Sequence, residues 1–164
     1  MVALKVPVIV TTTIEKMWGP LIPKRAEVLH GAPIIERTTV NAWDDKRVVD
    51  AVKATGRKNL IVTGISTDVC LAFPAIAALA DGFQSYAVID ASGGFSQTQV
   101  DTGSMRMQQA GVVPVGYSNV SIGSDFVCDL FIEHSAEYES HNLPLSSGQC
   151  VIALLQIVDR GLLF

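Results

Sequence analysis

The 164-residue sequence has no Cys-x-x-Cys pair and no Cys/His cluster. Its three cysteines, Cys70, Cys128 and Cys150, are an odd number at wide spacing. This excludes a disulfide framework and a structural zinc site, and it fits a reduced, cytoplasmic compartment. Charge of one sign is not in large excess: 12 Lys and Arg stand against 16 Asp and Glu, a formal net charge of −4, with the two signs interspersed. Without a basic stripe, neither a nucleic acid nor a membrane surface is expected as a partner. The longest apolar run near the C-terminus, Cys150 to Val158, is interrupted by Gln156 and too short to span a bilayer. The segment Met1 to Pro7 lacks the charged region and long apolar run of a signal peptide. There is also no G-x-G-x-x-G and no phosphate-binding run, only Gly93-Gly94, which leaves a nucleotide-binding flavodoxin-like module weakly supported.

What is present is material for one core. Apolar residues make up 49% of the chain and charged residues 17%, the balance of a single globular domain rather than a disordered chain. Short apolar runs rich in β-branched residues recur at Val6–Thr11, Pro33–Glu36, Leu60–Ile65, Tyr86–Asp90 and Val112–Tyr117. Continuous runs of this kind predict strands covered on both faces, as in a parallel sheet. Helical patterns lie between them. One begins at Asp44 or Asp45 and ends at Gly56; a second, capped by Asp68, passes through Cys70 to Gly82; a third covers Gln97–Ala110 and a fourth Ile122–His134. Strand–helix alternation implies right-handed crossovers and an α/β three-layer sandwich with a Rossmann-like parallel sheet. The second helix, with its LAFPAIAALA run, is small and apolar all round, which predicts burial deep in the domain or against another subunit.

The chemistry concentrates where the third strand turns into this helix, at Val62-Thr63-Gly64-Ile65-Ser66-Thr67-Asp68-Val69-Cys70. A thiol in a first helical turn faces unpaired N–H groups and the positive end of the macrodipole, which favour the nucleophilic thiolate. In an open parallel sheet the crevice at the carboxyl ends of the strands is the usual ligand site. Cysteines in apolar surroundings are also commonly inert core residues, and the local pattern leaves both readings open. Cys128 reads as core, and no partner is assigned to Cys150.

The run Gly64 to Cys70 followed by Ala72-Phe73-Pro74-Ala75, together with Asp90-Ala91-Ser92-Gly93, Glu36-Arg37, Asn41-Ala42-Trp43-Asp44 and Ala51-Val52-Lys53-Ala54-Thr55-Gly56, resembles the isochorismatase-like cysteine hydrolases, and within them a YcaC-like subgroup. The resemblance runs from Pro7 to about Tyr138. It implies an isochorismatase-like hydrolase domain over 1–140 and a divergent tail over 141–164 whose apolar character needs a partner surface or a groove. It implies a site of an Asp base, a Lys or Arg and a Cys nucleophile, attacking the carbonyl of a small amide or related C–N substrate through a thioester-type intermediate. Cys70 matches the nucleophile. Arg37 stands where the subgroup carries Lys, able to hold a thiolate or orient substrate but not to act as a base.

The resemblance further implies a cis peptide at Ile65–Ser66, an oxyanion hole from the amides of Ser66 and Cys70, and substrate contacts at Asn41, Trp43 and Thr67; for Asn41 and Trp43 a helix-entry turn with a packing Trp is the alternative. It implies no metal, no cofactor, a small-molecule substrate and a homo-oligomer. The family's first strand, an apolar run ending in Asp-x-Gln, has no match before Val6, and the first aspartate is Asp44. A missing central strand and a missing base are therefore expected. General-base proton transfer is worth about 10²–10⁴-fold in rate, so a catalytically impaired member serving as a binding or oligomerisation scaffold is the alternative.

Overall fold

The computed structural model describes residues 6–18, 27, 29, 31–122 and 150–155. In chain order the elements are β1 (Val8–Thr13), α1 (Glu15–Trp18), β2 (Ile34–Arg37), α2 (Lys46–Ala54), β3 (Asn59–Gly64), α3 (Ala72–Ala80), β4 (Gln84–Val88), α4 (Gln97–Ala110), β5 (Val113–Val115), α5 (Tyr117–Ile122) and β6 (Cys150–Leu155). A 3₁₀ turn, Ala42–Asp44, precedes α2, and a π-type turn, Thr67–Leu71, leads into α3.

All six strands form one parallel sheet in the order β2-β1-β6-β3-β4-β5. The β3 run is buried on both sides because its residues alternate between two apolar layers. Leu60 and Val62 join Leu71, Ala72, Ala75, Ala78 and Met107 on one face, while Ile61 joins Tyr86, Val88, Val115 and Val120 on the other. This is the three-layer α/β architecture that the alternating pattern predicts.

The middle of the sheet differs from the expectation of an unfilled slot. β6 lies between β1 and β3, pairing Val8–Thr11 with Ile152–Leu155 on one side and Asn59–Gly64 with Cys150–Leu155 on the other. Part of the segment expected to stand apart as a tail is thus a central strand. Its backbone supplies ladder partners that β1 and β3 would otherwise lack.

Local chemistry explains the smaller shifts in element ends. Asp45 caps α2, accepting from the Arg47 amide. The expected cap Asp68 instead lies inside the π-type turn, with Ser66 at the N-cap position. The Thr67 amide and hydroxyl both donate to the Gly93 carbonyl, at 2.7 and 2.8 Å, and this starts the turn before Asp68. β5 stops at Val115, short of Tyr117, because the Tyr117 amide donates to Asp90 Oδ1 at 2.7 Å and a helix begins there. α4 ends as the sequence predicts, on Gly111 with φ of 94°. Most of the expected Ile122–His134 helix, with Cys128, lies outside the described residues.

Candidate active site

The chain proceeds outward from the centre in two directions, β1 to β2 on one side and β3 to β5 on the other. The reversal lies between β1 and β3, and in such sheets the carboxyl ends of the strands around that point form the ligand crevice. Three elements meet there. β1 ends in Thr11-Thr12-Thr13, β2 ends in Arg37, and β3 ends in Gly64, from which the chain enters the Cys70 turn.

The exit from β3 is braced by the loop after β4. The Gly64 amide donates to Ser92 Oγ at 3.1 Å, and Ser92 Oγ donates to the Val88 carbonyl at 2.7 Å. The Gly93 amide returns a bond to the Gly64 carbonyl. The Asp90-to-Gly93 motif is therefore a buttress for the turn that carries Cys70. The peptide Ile65–Ser66 is cis, as the resemblance implies.

Arg37 is almost wholly buried, at 1% exposure, and Cys70 is 8% exposed. The guanidinium lies near enough to the sulfur for its charge to act on it, and the Ser66 amide acts on Cys70 as well. Arg37 Nε donates to Thr11 Oγ1 at 3.3 Å, and its Nη1 donates to the carbonyls of Thr39 and Val40. Burial pushes the Cys70 thiol up, against the pull of the Arg37 charge, the Ser66 amide and the Arg37 hydrogen bond; Asp68 adds a further push upward. Burial likewise lowers Arg37, and the sulfur and Asp45 counter it. Loss of water around the sulfur thus works against the thiolate that the helix start favours.

The other expected contacts have partners of their own. Asn41 Oδ1 accepts from the Trp43 amide and Asn41 Nδ2 donates to Asp44, capping the 3₁₀ turn. Asn41 also lines a shallow hollow of about 260 Å³ with Phe73, Ile76, Ala77, Ala80 and Arg106, and Cys70 is not among its lining residues. Trp43 packs edge-on against Phe83 and donates to Asp81 Oδ2. Thr67 is fully buried and committed to Gly93. Thr11, which the sequence does not single out, touches Arg37 directly; its only signal is the hydroxyl run at the end of an apolar strand.

Among the described residues, no group of three or more His, Cys, Asp or Glu is placed to hold a metal ion. None of the described helices is long and apolar enough to cross a membrane. The carboxylate acting on Cys70 among these residues is Asp68, which accepts from Ser66 Oγ at 2.6 Å. An apolar strand followed by an aspartate does occur in the chain, at the end opposite to the expected one: β6 continues in sequence as Gln156-Ile157-Val158-Asp159. Asp159 lies outside the described residues.

Comparison with known proteins places this geometry in a family. The protein named probable hydrolase YcaC of Escherichia coli (strain K12) is 44% identical over 107 residues, which are 64% of this chain and 51% of that protein. The chain thus spans about half the length of this curated relative. The crystal structure of the E. coli YcaC gene product, described as an octameric hydrolase of unknown specificity, matches with a TM-score of 0.69 at 42% identity, over 71% of this chain and 58% of that one. YcaC from Pseudomonas aeruginosa, solved with hexane-2,5-diol and covalent acrylamide, matches with a TM-score of 0.69 at 44% identity and the same coverage. MAR1 ribonuclease from Caenorhabditis elegans matches with a TM-score of 0.67 at 26% identity, over 85% of this chain and 76% of that one. The model of the isochorismatase domain matches residues 3–117, a stretch that takes in β1 through β5, Arg37 and the Cys70 turn. The chain therefore belongs to the isochorismatase family, within its YcaC-like group.

Proposed function

We propose that the chain is a cysteine hydrolase acting on the carbonyl of a small amide or related C–N substrate. The observation that carries this reading is a buried guanidinium whose charge acts on a buried thiol at the point where the sheet reverses direction. Cys70 Sγ bonds to the carbonyl carbon as the thiol proton passes to a base. The C–N bond then breaks, and the nitrogen leaves with a proton. Water adds to the thioester, which releases the acid and restores the thiol. The amides of Ser66 and Cys70 are assigned to the oxyanion of each tetrahedral intermediate, and Asn41, Trp43 and Thr67 to the surroundings of the substrate.

Because burial pushes the Cys70 thiol up, the reaction needs a proton acceptor. That role is assigned to Asp159, four residues beyond the end of β6. Acrylamide, held covalently in the P. aeruginosa protein, is expected to label Cys70, as read by peptide mass mapping. On a panel of small amides, Cys70→Ala abolishes turnover and Asp159→Asn lowers it by about 10²–10⁴-fold. Undiminished turnover in Cys70→Ala ends the proposal.

The burial that works against the thiolate supports a second reading, an impaired member that serves as a binding scaffold; it predicts no turnover by the wild-type chain on the same panel. A nuclease activity like that named for the C. elegans protein is not carried over, since a net charge of −4 supplies no basic track for a phosphate backbone. Assembly is assigned by analogy with the octameric E. coli protein: a homo-oligomer, with a monomer by light scattering as the contrary result.

A further inference from the structure

The guanidinium of Arg37 carries a positive charge at 1% exposure, and every oxygen it bonds is uncharged. Its Nη2 has no hydrogen-bond partner among the described residues, and neither do the buried hydroxyls of Thr13 and Thr39. Thr13 is the register partner of Arg37 on the neighbouring strand, and Thr11 lies two residues back on the same face. Thr39 is the residue whose carbonyl accepts from Nη1. The two orphaned hydroxyls thus belong to residues that neighbour the guanidinium, one by strand register and one through its own carbonyl. Asp45, the carboxylate acting on Arg37 at longer range, has its oxygens bonded to Arg47 at 3.0 and 2.6 Å.

A buried charge without a counter-charge is costly, and a planar guanidinium is suited to carboxylate oxygens. We propose that Arg37 Nη2, with the hydroxyls of Thr13 and Thr39, receives an anionic oxygen of the substrate. The substrate is then an amide bearing a carboxylate one or two bonds from the carbonyl that Cys70 attacks, because the charge of the same guanidinium also acts on the sulfur. This inference rests on the hydrolase reading for what it says about the scissile bond. The anion site itself is tested without turnover.

The test is calorimetric titration of the full chain with oxamate and with its uncharged counterpart oxamide. Oxamate is expected to bind about tenfold or more tightly than oxamide, the size of one charge-assisted hydrogen-bonded contact. Arg37→Gln removes the difference, Arg37→Lys keeps part of it, and Thr13→Ala reduces it. Equal affinities, no binding of either compound, or a preference that survives Arg37→Gln overturns the proposal. So does oxamate binding that appears only in Asp159→Asn, which shows that a carboxylate of the chain already fills the place. If Arg37→Gln does not fold, the wild-type ratio decides. Hydrolysis of neutral amides with no oxamate preference leaves the hydrolase reading standing and removes this one, whereas oxamate binding without any amide turnover does the reverse.

Discussion

Removing water from a sulfur costs the thiolate more than the thiol, and Cys70 shows the consequence at the scale of a single side chain. Desolvation is the largest influence on it, so its pKa lies above the ordinary thiol value despite the Arg37 charge and the Ser66 amide. Since the thiolate is the species that alkylates, iodoacetamide should react with Cys70 more slowly at neutral pH than with an ordinary thiol. The rate should then climb about tenfold per pH unit until the raised pKa is passed. Arg37→Met removes a downward pull and moves the profile further alkaline, whereas Arg37→Lys keeps the charge and moves it less. A profile shifted toward acid in Arg37→Met would contradict the assigned contact. Cys70 and Arg37 were both legible in the sequence, because the motifs around them are local. The state of the thiol was not, because it depends on which segments cover position 70, and these come from other parts of the chain. For Asn41 and Trp43 a helix-entry turn with a packing Trp was legible as one of two readings, while the bond from Trp43 to Asp81 needs the fold.

Among the elements, α4 has the tightest hold on the turn that carries Cys70. A Cβ placed on Gly103 would stand 2.7 Å from Asp68 Cα, 2.8 Å from the Asp68 amide nitrogen and 3.0 Å from the Thr67 carbonyl carbon. These are backbone atoms of the turn that carries Cys70, and they cannot swing aside. Gly103→Ala should therefore cost about 1–3 kcal/mol, although alanine is by itself the better helix former. Thermal unfolding followed by circular dichroism measures the loss, and an unchanged or raised Tm refutes the close approach. The helices around this turn were readable from periodicity and from stop signals such as Gly111. The start at Thr67 was not. It is set by the Gly93 carbonyl, 26 residues away, and an aspartate near a helix start gives no sign of being displaced by so distant an acceptor. For the same reason β5 was read too long: the carboxylate that begins α5 belongs to Asp90, on another loop.

For the molecule as a whole, the decisive feature is that the strand at the centre of the sheet follows all the others in sequence. Its apolar character was visible in the sequence, but nothing in a strand names its neighbours when they lie far away along the chain. The pairing of Cys150–Leu155 was therefore out of reach. A proline in a central strand removes a ladder donor that has no replacement. Ile152→Pro is accordingly expected to abolish the cooperative heat-absorption peak in calorimetry and to make residues 31–122 protease-sensitive. An intact transition would show that β6 is dispensable. The ladder also contains no direct pairing between β1 and β3, so the pair β2-β1 and the trio β3-β4-β5 are joined through β6 alone. A ribosome making this polypeptide consequently extrudes two separate half-sheets with raw inner edges. They cannot be zipped together until residues 150–155 have emerged from the exit tunnel, and up to that point the nascent chain is exposed to chaperones and to sticking between neighbours on a polysome.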